Sequence, residues 1–337
     1  MRIIFAGSPA IAAAALKTIS DMELEGKGVV LAAILTNPDS RQGRRGLTMP
    51  TEVSAAASEL DVIRKEKGFP PIVQLKPGKL NAQVRLEAAA VKPDLLVSFA
   101  YGHIFGPRFL ALFPSGGINI HPSLLPRYRG ASPVPAVILG REKETGICIQ
   151  RLALEMDTGD IVAEDRFRLS GRETTLSLNE TVSRRAALLL RDLLVDFNAR
   201  CACARPQEGD ASYCGQIKKE AGFINWNRSA VEIDAQIRAY TPWPLSFTRC
   251  GKDTLFILEA RPLVLSDFPV VSQSASQPLL QSSLPGTVSG VDKELGILIK
   301  TGDGILCVTR LQWQAKKALD WKAFCNGARD FIGCQLG

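Results

Sequence analysis

Histidine is scarce in this chain of 337 residues: there are two, His103 and His121. Eight cysteines are present but none forms a C-x-x-C pair, and only two histidines are available to complete a ligand set, which counts against a zinc site. The cysteines form no compact disulfide framework and read as free thiols in a reducing, cytoplasmic setting. No stretch approaches the ~20 uninterrupted apolar residues of a membrane span. The first turn, AGSPAIAA at 6–13, lacks the G-x-G-x-x-G fingerprint, which counts against a dinucleotide-dependent dehydrogenase. No internal repeat is visible.

What is present is an ordinary globular composition, 46% hydrophobic and 22% charged, with a formal net charge of +7. That excess makes a polyanionic partner plausible, although it is dispersed: Arg41, Arg44 and Arg45 form one small cluster and Lys316 and Lys317 another. The length suits two domains of roughly 150 residues each. The opening MRIIFAGSPAIAAAALKTIS has the basic start and apolar run of a secretory signal. Gly7-Ser8-Pro9 breaks that run where a strand-to-helix turn belongs, so it reads as strand, turn and alanine-rich helix.

Residues 1–200 alternate β-branched apolar runs (29–36, 94–100, 117–121, 145–152, 160–169) with amphipathic ones (51–67, 79–91, and a long closing helix over 173–198). This alternation predicts an α/β domain with a mostly parallel, helix-covered sheet, whose ligands gather at the carboxyl ends of the strands. CACARPQEGDAS at 201–212 reads as a linker. Over 213–337 the apolar runs become short and are separated by Gly, Pro and Asp turns, with helices near 229–240 and 318–326. A smaller β-barrel is expected there, with the Ser/Gln-rich stretch 272–283 as a loop inside it.

The chemistry concentrates in NIHPSLLPRYRG at 119–130. On a strand, residues i and i+2 share a face, so Asn119 and His121 project together while Ile120 turns into the core. A neutral imidazole can take a proton near pH 7, and a side-chain amide can donate to a developing oxyanion without changing charge. The pair suits acyl transfer. Taken alone, N-x-H is better explained by a structural histidine at a strand end with Asn119 satisfying a loop backbone, and D-T-G-D at 157–160 is equally an ordinary turn in which Gly159 takes unusual backbone angles, with Asp160 as a rival to Asp157.

The combination is more specific than its parts. GGINIHPSLLPRYRG, followed 36 residues after His121 by Asp157 in MDTGDIV, resembles the folate-dependent formyltransferases. The opening MRIIFAGSP, TNPDSRQGRRGLTMP, AYG at 100–102, ETGICIQRL, INW, IRAYTPWP, TGDGIL and LQWQAKKAL extend the resemblance over essentially the whole chain. Ile11 stands where an aromatic is expected, and GPRF replaces a proline-led turn. The resemblance implies a Rossmann-like formyltransferase domain followed by an OB-like barrel. It makes Asn119, His121 and Asp157 the catalytic trio and Ser123, Leu124, Leu125 and Pro126 the lining of the tetrahydrofolate site. It also implies 10-formyltetrahydrofolate as formyl donor, no metal, and the α-amine of initiator methionyl-tRNA as acceptor, in a monomeric cytoplasmic enzyme.

By the same resemblance the arginine-rich segment 37–50, long for a βα loop, enters the acceptor end of the tRNA through Arg41, Arg44 and Arg45, with Arg44 best placed. Lys316 and Lys317, with Lys218 and Lys219, are the candidates for holding the tRNA body. Arg127 and Arg129 read as solvated, His103 as a spectator, and Trp243 and Trp313 as packing rather than base-stacking residues. A formyltransferase for a small amine accounts for the first domain but not for the arginine segment or the second domain. A tRNA-binding relative without activity is at odds with an intact trio.

Overall fold

The computed structural model describes residues 1–42, 46–263 and 284–337. Arg44 and Arg45, and the stretch 272–283, lie outside the described residues. The chain divides into two compact units, one comprising residues 1–133, 144–168 and 178–215, the other 134–143, 169–177 and 216–337.

The first unit is built on a sheet of seven strands: β1 (Arg2–Ala6), β2 (Val30–Leu35), β3 (Val73–Leu75), β4 (Leu95–Ser98), β5 (Gly117–His121), β6 (Glu144–Arg151) and β7 (Ile161–Arg168). Their order is β7-β6-β5-β4-β1-β2-β3. The strands from β5 to β3 in that order pair in parallel. β6 pairs antiparallel to both β5 and β7. The sheet is therefore mostly parallel, as the alternation predicts. Consecutive β1 residues Ile3, Ile4, Phe5 and Ala6 are all buried, the signature of a strand covered on both faces.

The covering helices are α1 (Ala13–Leu24), α2 (Glu52–Glu66) and α3 (Ala82–Ala90). Side-chain caps start two of them, Thr51 accepting from Ser54 N–H at 3.1 Å and Asn81 from Val84 N–H at 3.1 Å. The long helix α4 (Thr175–Val195) buries Leu178, Val182, Ala186, Leu190, Leu193 and Leu194, a spacing of three and four. It stops before the segment read as its continuation, and a separate turn of helix covers Phe197–Ala202. Within 37–50, Ser40–Gln42 and Leu47–Met49 pair as antiparallel strands, with Ser40 opposite Met49, Arg41 opposite Thr48 and Gln42 opposite Leu47. Among the described residues, no helix is long and apolar enough to cross a membrane.

The second unit is β-rich. Its strands β8 (Ser246–Cys250), β9 (Asp253–Leu263), β10 (Val288–Asp292), β11 (Gly296–Lys300) and β12 (Ile305–Trp313) run in the order β8-β9-β12-β11-β10. The carboxyl-terminal tail bridges the two edges, with Leu336 opposite Cys250 and Gln335 opposite Thr287, and so closes the sheet into a barrel. Helix α5 (Ala230–Ala239), started by a Ser229–Glu232 capping box, packs Ile233 and Ile237 into the barrel core. Trp313 stacks on Phe324 at 5.4 Å between ring centroids, so it belongs to the packing.

Candidate functional site

Strand β5 ends in the site. Ile120 is buried on one face, while Asn119 and His121 share the other. The neighbouring strand sets Gln150 directly opposite Asn119, and the following loop carries Asp157 back to both. Asp157 Oδ1 accepts from Gln150 Nε2 at 2.8 Å and from Asn119 Nδ2 at 3.3 Å. Asp157 Oδ2 accepts the backbone N–H of Gly130 at 2.8 Å and faces His121 Nδ1 at 3.5 Å. The three residues predicted from sequence thus converge, with the His121 and Asp157 side chains only 4% and 10% exposed. Asp160 is exposed, and its backbone carbonyl is tied to Arg151 N–H, so it does not compete for the role.

The histidine tautomer follows from its partners. Both ring nitrogens face accept-only oxygens, Nε2 the Tyr128 carbonyl at 2.9 Å and Nδ1 the Asp157 carboxylate at 3.5 Å, so the shorter contact assigns the proton of the neutral ring to Nε2 and leaves the lone pair on Nδ1. Burial holds the imidazole below the ordinary histidine value, with Arg129 acting in the same direction and the Asp157 carboxylate and the Tyr128 carbonyl opposing. The result is a neutral base whose free nitrogen faces a carboxylate. A proton taken up there is stabilised at once.

Two glycines shape this arrangement by close approach. A side chain at Gly130, whose φ is +114°, would meet the backbone carbonyl of Cys214, since the 129–130 strand pairs with Tyr213–Cys214. A Cβ at Gly159 would lie 2.8 Å from the carbonyl carbon of Arg151 and nearer still to its oxygen. The sequence reading assigned unusual backbone angles to Gly159. In the structure it is Asp157 that takes the left-handed conformation, at φ +56°, and Gly159 is needed because β6 passes so close. For a non-glycine residue that conformation costs roughly 1–2 kcal/mol, least for Asp and Asn, so the loop must be held from outside.

Ser123, Leu125 and Pro126 are buried and Leu124 is half-buried. Ser123 Oγ donates to the Arg127 carbonyl at 2.6 Å, and Leu125 packs with Cys148 and Ile161, so this turn braces the strand end. Arg127 is exposed, over the Tyr128 ring. Arg129 is not a solvated side chain: its Nε and Nη2 reach Gln207 Oε1 at 3.1 and 2.6 Å, and its Nη1 reaches the Tyr213 hydroxyl at 3.2 Å. His103 contacts Asn37 Oδ1 at 2.9 Å, outside this cluster. Arg41 is exposed on the 40–42 strand, and Lys316 and Lys317 are exposed on a turn of the second unit.

Sequence reasoning missed Gln150 and Gln207. Gln150 had a signal, a polar residue inside the apolar run ICIQRL. Gln207 had none, because 201–212 reads as a linker, whereas the structure places it in the first unit with Gln207 against the Asp157 loop. A cleft of about 270 Å³ in the second unit, bordered by Arg172, Arg238 and Arg261, also escaped notice. Among the described residues no group of His, Cys, Asp and Glu side chains is arranged to hold a metal ion.

An imidazole base, a carboxylate beside it and an amide donor at a strand end are parts that formyl transfer to an amine can use. Residues 1–193 match the formyl transferase family and residues 216–329 its C-terminal domain. A methionyl-tRNA formyltransferase of Treponema denticola is 46% identical over 98% of both chains. Among solved structures, HypX from Aquifex aeolicus in complex with tetrahydrofolic acid superposes with a TM-score of 0.58 at 14% identity, over 98% of this chain and 48% of that one. A methionyl-tRNA formyltransferase from Clostridium thermocellum superposes at 0.51 with 18% identity, over 77% and 92% of the two chains. With sequence, domain order and strand-end cluster in agreement, the chain belongs to the formyltransferase family, among the methionyl-tRNA formyltransferases.

Proposed function

We propose that this strand-end cluster moves the formyl group of 10-formyltetrahydrofolate to the α-amine of methionine esterified to initiator tRNA. The observation that carries the reading is the convergence of Asn119, His121 and Asp157 around a neutral, buried imidazole. The amine nitrogen attacks the formyl carbon, a carbon–nitrogen bond forms, and the carbonyl oxygen gains negative charge. Asn119 spends one N–H on Asp157 and offers the other to that oxygen. His121 Nδ1 takes the proton released by the amine, and Asp157 stabilises the imidazolium. The bond to the folate nitrogen then breaks, and the imidazolium gives its proton to that nitrogen, so tetrahydrofolate leaves and His121 returns to its neutral form.

The turn Ser123, Leu124, Leu125, Pro126 shapes the folate side of the pocket through its backbone, since most of its side chains are buried. Arg41, on the antiparallel pair 40–42 and 47–49, and Arg44 and Arg45 between the two strands in sequence, contact the acceptor end of the tRNA. Lys316 and Lys317 contact its phosphates, their contribution falling as salt rises.

The test is formyl transfer from 10-formyltetrahydrofolate to charged initiator tRNA, glycinamide ribonucleotide and free methionine in parallel. The tRNA is expected to be the preferred substrate by orders of magnitude in kcat/KM. Equal use of the small amines overturns the assignment of substrate. Arg44→Ala is expected to harm transfer to tRNA far more than slow hydrolysis of the formyl donor, and equal losses overturn the role of this segment.

A further inference from the structure

Asp157 is held by more than the groups that touch its carboxylate. Its left-handed backbone lies in a loop whose carbonyls face a single side chain from 50 residues further along the chain. Gln207 Nε2 sits 2.8 Å from the Asp157 carbonyl oxygen and 2.8 Å from that of Gly159, one hydrogen for each, with Gln150 Oε1 at 3.2 Å. The oxygen of the same carboxamide accepts the fork of Arg129 Nε and Nη2. Both ends of Gln207 are therefore occupied, and it joins four points of the site: residues 129, 150, 157 and 159. A carboxamide is suited to this position because it offers two N–H donors and a carbonyl acceptor on one carbon.

We infer that Gln207 is a positioning residue for formyl transfer: by clamping the backbone of the Asp157–Gly159 loop it fixes the carboxylate that His121 and Asn119 face. The inference rests on the trio reading above. Gln207 lies in the loop's second layer and touches no reacting atom in that mechanism. Its removal should leave both substrates able to bind while displacing the carboxylate. Charge at this position is also constrained. A glutamate keeps an acceptor for Arg129 but sets oxygens against the carbonyls of Asp157 and Gly159, so it separates clamping of the loop from anchoring of the arginine.

The experiment compares wild type, Gln207→Glu, Gln207→Met and Asp157→Asn in steady-state formyl transfer to charged initiator tRNA, with unfolding midpoints measured in the same buffer. Both Gln207 variants are expected to lose on the order of 10²-fold in kcat, the scale of a misplacement near 1 Å. KM for both substrates should stay within a factor of about three, since ground-state binding is untouched. Gln207→Glu that turns over like wild type overturns the inference, because anchoring Arg129 would then suffice. A loss seen only as raised KM, or only in proportion to the unfolded fraction, overturns it too, since Gln207 would then serve the fold. Asp157→Asn separates the two levels. If it is inactive while both Gln207 variants work normally, only the clamp fails; if it keeps full activity, the trio reading itself fails.

Discussion

Gly159→Ala puts a methyl group where the backbone of β6 already runs. The added carbon would stand 2.8 Å from the Arg151 carbonyl carbon, where ordinary contact begins at 3.4 Å, so the loop must retreat by at least about 0.6 Å and further to clear the oxygen. Neither side can yield freely. Arg151 lies opposite Ile118 in the sheet, and its N–H donates to the Asp160 carbonyl at 2.9 Å. Retreat strains that bond and the one from Gln207 to the Gly159 carbonyl at 2.8 Å. Two hydrogen bonds weakened or left unmade, the Gln207 one partly buried, cost about 2–4 kcal/mol. At about 2–4 °C per kcal/mol for a unit of this size, the unfolding midpoint should drop by roughly 5–15 °C. The displacement reaches Asp157, two residues away, so kcat should fall by about 10²-fold even below the midpoint. Calorimetry and single-turnover formyl transfer measure the two effects, with Gly78→Ala, where nothing lies within 4 Å of the added carbon, as control. A Gly159→Ala enzyme with near-normal midpoint and rate would refute the claim that close approach dictates glycine here.

Other expectations follow from burial and charge. Because the folded state holds His121 below the ordinary value of 6.5, the unfolded chain binds more protons as pH falls below that value. Stability should therefore be lost as pH falls from about 6.5 toward the folded pKa. Chemical denaturation across pH 5–7.5 should show this loss reduced in His121→Asn, and an identical pH dependence would contradict it. The same depression should place the acid limb of kcat/KM below pH 6.5 if the neutral ring is the base. Glu23→Gln removes the carboxylate 2.6 Å from the Arg64 guanidinium, which is 2% exposed, and leaves it the more distant and more exposed Asp61 carboxylate at 4.0 Å. The cost should be about 3–5 kcal/mol by urea unfolding, and less than 1 kcal/mol would refute the pairing argument. Burial pushes the Cys148 thiol up to about 12, so iodoacetamide at pH 8 should modify exposed Cys203 first and leave Cys148 untouched in the folded protein, as peptide mapping would show.

Much of this was legible in the sequence, because periodicity records burial. The runs at 29–36, 94–100 and 117–121 are strands because both faces are covered, and Asn119 and His121 meet because a strand alternates. What escaped depends on long-range pairing. The antiparallel placement of β6 sets Gln150 opposite Asn119, and no local pattern specifies that register. Gln207 reads as part of a linker because its partners lie 48 to 78 residues away, and its segment has no periodicity to betray packing. The second unit gathers 134–143 and 169–177 as well as the carboxyl-terminal chain. Such recruitment arises from tertiary contacts that no sequence window contains.

The mechanism turns on His121, held neutral with Nδ1 facing Asp157, taking the proton of the attacking amine. The most direct measurement is the single-turnover rate of formyl transfer by His121→Asn, with 10-formyltetrahydrofolate and charged initiator tRNA both saturating. A fall of about 10²–10⁴-fold is expected, with tRNA binding unchanged. A rate within about threefold of wild type would contradict it.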